Sequence, residues 1–206
     1  MMHTGDSLAA ELLRLRQCRP VRQRRPVPQR PGADAAPPVL SLFVIDVSGD
    51  AAAYVERLRS VLAPAVRLGC TADFEQESLP VDEIPGWFAE ACSGPGSGGE
   101  GEGGGGGEER APRFALAGRE AYADHTGGGG PWDLQDWLYR FAPDEDSRGW
   151  EWWDAMVAGP SRVHVRVDSW GESSFGCQDL LWAVFTAGAV RVEGPMVQIT
   201  SSREKP

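Results

Sequence analysis

Residues 43–50 read FVIDVSGD and residues 165–172 read VRVDSWGE. Each is an apolar run that ends in Asp, then two residues, then Gly and an acid: Asp46, Gly49 and Asp50 in the first, Asp168, Gly171 and Glu172 in the second. Runs rich in Val, Ile and Phe that stop at such a cluster are strands entering a turn. A helical pattern follows each. Asp50 stands at an N-cap position before AAAYVERLRSVL, where Tyr54, Leu58, Val61 and Leu62 recur at helical spacing, and Pro64 is expected to end the run. Residues 176–188 carry Leu180, Leu181, Val184 and Phe185 in the same way. The next apolar stretch starts at Val66, 20 residues after Asp46, and at Val190, 22 after Asp168. Two βαβ-like units in one sheet are the simplest expectation.

The rest of the chain is read around this pair. Residues 38–47 (PVLSLFVIDV) are apolar on both alternating faces, as in a central strand. Residues 162–169 alternate strictly, with Val163, Val165 and Val167 opposite Arg162, His164, Arg166 and Asp168. Residues 190–199 are a closing strand interrupted at Gly194 and Pro195, and short strands are expected at 65–70 and 113–117. Leu134, Trp137, Leu138 and Phe141 place a helix over 133–142, and Trp87, Phe88 and Cys92 one starting near Asp82. Trp150, Trp153 and Val157 at similar spacing predict a helix over 149–158. The expected class is α/β (or α+β): a single domain with a mixed sheet of about four to five strands.

Composition sets the boundaries. From Gly94 to Gly107, 10 of 14 residues are glycine, so 93–112 reads as a flexible Gly/Glu-rich linker. A GxGxxG match inside it has no strand before and no helix after, and is discarded. Residues 1–38 hold seven arginines among prolines and read as a disordered basic arm, although 6–17 have helical spacing behind Asp6. The ordered parts are then 39–92 and 113–199, with a disordered tail at 200–206.

The net charge of -10 divides into +4 for residues 1–38, 0 for 39–72, -9 for 73–111 and -5 for 112–206. An acidic core repels nucleic acid and anionic membrane, which leaves only the arm as a nucleic-acid contact. No signal peptide and no membrane span is read, so a cytoplasmic location is expected. Cys18, Cys70, Cys92 and Cys177 are scattered without a CxxC pair, and the three histidines are isolated.

Two function classes follow. Seven of the eight tryptophans lie between residues 132 and 182, beside acids. That pattern suits an acidic and aromatic surface for a basic protein partner, through Trp150, Trp152, Asp154, Trp170 and Glu172. A non-enzymatic binding module of immunity or antitoxin type is the leading expectation, with no cofactor. Trp137, Trp153 and Trp182 are assigned to the core. In the alternative, the two D-x-x-G-[DE] turns adjoin, and Asp46, Asp50, Asp168 and Glu172 hold Mg²⁺ or Ca²⁺ for a metal-dependent enzyme. The discriminating observation is whether the four carboxylates converge. His164 and Asp168, four residues apart on a strand, lie about 13 Å apart and form no dyad.

Overall fold

Burial alternates along β1 (Val39–Val47): Phe43, Ile45 and Val47 point into the core, while Leu42, Val44 and Asp46 are half-buried on the opposite face. The computed structural model describes residues 3–17, 37–93, 111–143 and 148–200. β1 lies inside a four-stranded sheet with β2 (Glu151–Gly159), β3 (Arg162–Asp168) and β4 (Ala189–Ile199), in the order β2-β3-β1-β4. Every neighbouring pair is antiparallel. Among the described residues six helices complete a single mixed α/β domain: α1 (Gly5–Arg16), α2 (Ala51–Thr71), α3 (Gly86–Cys92), α4 (Arg113–Thr126), α5 (Leu134–Tyr139) and α6 (Gln178–Thr186).

Half of the expected repeat is present. β3 and β4 both run antiparallel to β1, hence parallel to each other, and α6 connects them. They flank β1 instead of touching, so this is a split βαβ unit. The first half has no second strand. Asp50 caps α2 as expected, its Oδ1 accepting from Ala53 N–H at 2.7 Å. The helix then runs through Pro64 to Thr71, so residues 65–70 are helix and not strand. Val61, Leu62, Ala65 and Val66 have no accessible surface. Their burial outweighs the roughly 3 kcal/mol that an internal proline costs.

Two more segments exchange type. Residues 113–117 open α4, where Ala115, Gly118 and Tyr122 are buried at spacings of three and four, a period that a five-residue window does not contain. Residues 149–158, expected as a helix, form β2. The helical spacing of Trp150, Trp153 and Val157 is not that of a buried face: Trp153 and Val157 are half-buried, and a register shift between Trp152 and Asp154 puts an extra residue into the strand, so the core-facing residues are Trp152 and Ala155, three apart. The short helix near Asp82 begins after Pro85, at Gly86.

The basic arm is partly core. Leu8, Leu12 and Leu15 of α1 are buried against α2 and the sheet, and a capping box between Thr4 and Ser7 starts the helix. Residues 18–36 of the arm, 94–110 of the Gly/Glu linker and 201–206 of the tail lie outside the described residues, as do Asp144, Glu145 and Asp146. At Gly118, α4 approaches α6 so closely that a Cβ would lie 2.0 Å from the Phe185 carbonyl oxygen. Gly194, at φ +127°, forms the bulge of β4, where a Cβ would lie 2.6 Å from the Leu42 carbonyl oxygen.

Candidate functional site

The two acidic turns do not meet. In the β1–β3 ladder Asp46 lies opposite Arg162, and Asp168 is six residues further along β3, about 20 Å away at ~3.3 Å per residue. Antiparallel pairing therefore sends Asp46 and Asp50 to one end of the sheet and Asp168 and Glu172 to the other. This overturns the four-carboxylate metal centre. Asp46 is instead engaged by Arg162, whose Nε donates at 2.8 Å, and this bond holds the carboxyl below its usual range. Among the described residues no three His, Cys, Asp or Glu side chains are grouped to hold an ion. Asp168 is shifted the other way, raised by burial although its carboxylate accepts from the Trp170 N–H.

The aromatic block is mostly core. Trp150 and Trp152 have no accessible surface, which removes both from a partner-contacting role in this fold. Trp150 donates through Nε1 to Asp179 Oδ1 at 3.0 Å, and Asp179 is itself buried, which raises its pKa. Trp137 and Trp182 are buried as expected, but Trp153 is only half-buried, exchanging places with Trp152 because of the bulge. Trp170 is half-exposed, takes a left-handed φ of 53°, and sets its ring edge-on to His3 at 5.1 Å. Glu172 is exposed beside it, while Asp154 is tied by the Arg166 guanidinium at 2.9 Å. A reduced acidic and aromatic corner remains, made of Trp170, Asp168 and Glu172, while the Arg14 guanidinium covers the Trp153 ring at 4.8 Å.

The strongest asymmetry of the surface is between the two sheet edges. An edge strand presents unpaired N–H and C=O groups that can template another strand. On β2 those groups are occupied by α1 at Trp152. Glu11 Oε1 accepts from Trp152 N–H at 2.7 Å, and Arg14 Nε donates to Trp152 C=O at 2.9 Å, so two side chains stand where a neighbouring strand would. Glu11 is held by a buried, bidentate bond from Arg148. Arg148 lies against the rings of Phe141 and Trp150, which meet edge-on, each 4.7 Å from its guanidinium carbon. His3 bonds the Arg148 carbonyl, and Arg14 pairs with Glu151. Burial, reinforced by the nearby Glu11 carboxylate, raises Glu151 to about 6 despite Arg14. Burial and the Arg148 charge lower His3 to about 4. None of this is visible locally in sequence, since the partners lie in segments 137 to 145 positions apart.

β4 carries the opposite edge. Thr200 N–H bonds Pro38 C=O, and the ladder continues through Gln198 with Leu40 and Met196 with Leu42. Antiparallel alternation then aims the N–H and C=O of Val197 and Ile199 away from β1, toward the free edge. Among the described residues no other backbone or side chain bonds them. Their side chains are 63% and 77% exposed, and Val190 and Met196 on the same strand are also exposed.

Compared with protein-family models, with curated proteins and with solved structures, the chain gives no match. Among the described residues no helix is long and apolar enough to cross a membrane.

Proposed function

We propose that this protein is a non-enzymatic protein-binding module that receives an extended segment of another protein chain along the free edge of β4. The observation that carries the reading is the contrast between two edge positions: α1 fills the backbone groups of Trp152 on β2, while Val197 and Ile199 on β4 offer theirs together with exposed apolar side chains. In strand addition, main-chain bonds supply affinity and alternate side chains supply selectivity. Burying Val197 and Ile199 contributes about 1.5–3 kcal/mol each.

A second surface fits the charge of the chain. Trp170 and Glu172, with Asp168 behind them, suit a basic partner, the chemistry of an immunity or antitoxin type of inhibitor. Capture of interacting proteins from the native host with three baits separates the two. Wild type is the first, Ile199→Lys the second, and Trp170→Ala combined with Glu172→Ala the third. Loss of a stoichiometric protein with the second bait alone supports the edge, and loss with the third alone moves the site to the acidic corner.

A further inference from the structure

We infer that the occupant of the β4 edge is a second copy of this chain, paired antiparallel about a two-fold axis at Val197. The inference rests on the strand-accepting reading above and names its partner. A two-fold contact joins a patch to itself, so the patch must be self-complementary. Residues 195–199, PMVQI, satisfy this. With Val197 on the axis, Val197 lies beside its own counterpart, Pro195 opposite Ile199, and Met196 opposite Gln198. Pro195, Val197 and Ile199 alternate onto one face, so six apolar side chains from the two copies form one cluster there.

The backbone agrees with the same register. Val197 and Ile199 aim their polar groups outward, so the two Val197 residues exchange N–H···O=C bonds across the axis, and each Ile199 N–H meets a Pro195 carbonyl. Pro195 has no N–H to give, which removes one bond per copy and keeps the pairing short. No charge lies within 195–199, and the charges beside it are paired: Arg191 with Glu193 at 2.7 Å, and Arg166, which donates to the Gln198 side chain, with Asp154 at 2.9 Å. The two sheets would join into one of eight strands. Each copy carries a net charge of -10, so the remaining repulsion is long-range and is screened by salt over a Debye length of about 8–10 Å. Added salt therefore strengthens this association, whereas it weakens the binding of a basic protein.

Sedimentation equilibrium of the full chain, from low to high micromolar concentration and at two salt concentrations, tests the proposal. The expected result is a rise from 22.2 kDa toward twice that mass, stronger at high salt. Val197→Lys sets like charges on the axis and is expected to abolish the dimer, while Leu13→Lys, on the exposed side of α1, leaves it intact. Both positions are more than half exposed, and circular dichroism confirms that the variants fold. A labelled peptide of residues 194–200, GPMVQIT, separates the two levels of the reading. A chain that stays monomeric yet binds the peptide overturns the second copy and keeps strand acceptance. A chain that does neither overturns the second copy and leaves strand acceptance to the Ile199→Lys capture, and a dimer indifferent to Val197→Lys overturns this interface.

Discussion

Glu11 and Arg148 lie 137 positions apart and form an ion pair in which neither side chain is accessible to solvent. The desolvation of two such charges offsets most of their attraction, so the pair fixes where α1 docks more than it adds stability. Its consequence is directional: Glu11 is placed to accept from Trp152 N–H, and the β2 edge is closed at that residue.

Removing one partner is costly. Glu11→Ala leaves a buried guanidinium without its carboxylate and a Trp152 N–H without an acceptor, and is expected to lower the unfolding free energy by about 3–5 kcal/mol. Replacing both, as Glu11→Leu with Arg148→Met, is expected to cost less than the single change. Urea unfolding of the three proteins checks this, and a loss below about 1 kcal/mol for Glu11→Ala contradicts it.

The same cluster carries two opposed pH terms. His3 has a folded pKa of about 4 against 6.5 unfolded, so its contribution is present above 6.5 and is lost as pH falls toward 4. Glu151 has a folded pKa of about 6 against 4.5, so its contribution is present below 4.5 and is lost as pH rises through 6. Between pH 4.5 and 6 the two cancel. Relative to wild type, His3→Gln is expected to become more stable on acidification through that window and Glu151→Gln less, each by roughly 1.4 kcal/mol per pH unit at most. Parallel stability profiles for all three proteins would refute the assignment.

Alanine for glycine within a helix ordinarily adds up to about 1 kcal/mol. At Gly118 the sign reverses, because the new Cβ would strike the Phe185 backbone. Gly118→Ala is expected to destabilise by about 1–3 kcal/mol, seen as a lower melting temperature. An unchanged or higher melting temperature is inconsistent with the α4–α6 contact.

Asp46 and Asp50 are separated from Asp168 and Glu172 by the length of β3. Millimolar Mg²⁺ or Ca²⁺ is accordingly expected to leave the melting temperature unchanged, since an ion bound to the folded state would raise it by mass action. A rise that disappears in Asp168→Asn would restore the metal reading.

Several elements were legible in the sequence because their signals are local. Alternating valines gave β3, the Asp50 cap gave the start of α2, and Leu180, Leu181, Val184 and Phe185 gave α6. The misread elements failed for tertiary reasons. Burial carried α2 through Pro64, and in β2 a bulge between Trp152 and Asp154 puts Trp152 and Ala155, not the helically spaced Trp153 and Val157, into the core. The direction of β1 relative to β3 has no local signature, yet it decided that the acidic turns part. For the site, Trp170, Asp154 and Glu172 were picked out and remain at least partly exposed, while Trp150 and Trp152 are interior. The helical spacing of Leu8, Leu12 and Leu15 was the one available hint of the docked α1. Nothing in the spacing of Glu11 or Arg14 pointed to β2. The open edge was hidden as well, because the exposure of Val197 and Ile199 follows from β4 being outermost in the sheet.

The central claim, that α1 closes the β2 edge at Trp152 while the β4 edge is open at Val197 and Ile199, is tested most directly by amide hydrogen exchange of the dilute chain. The Trp152 N–H, held by Glu11, is expected to be protected, while those of Val197 and Ile199 exchange freely and become protected when the GPMVQIT peptide is added. Protection of Val197 and Ile199 in the dilute chain alone, or free exchange at Trp152, would contradict the account.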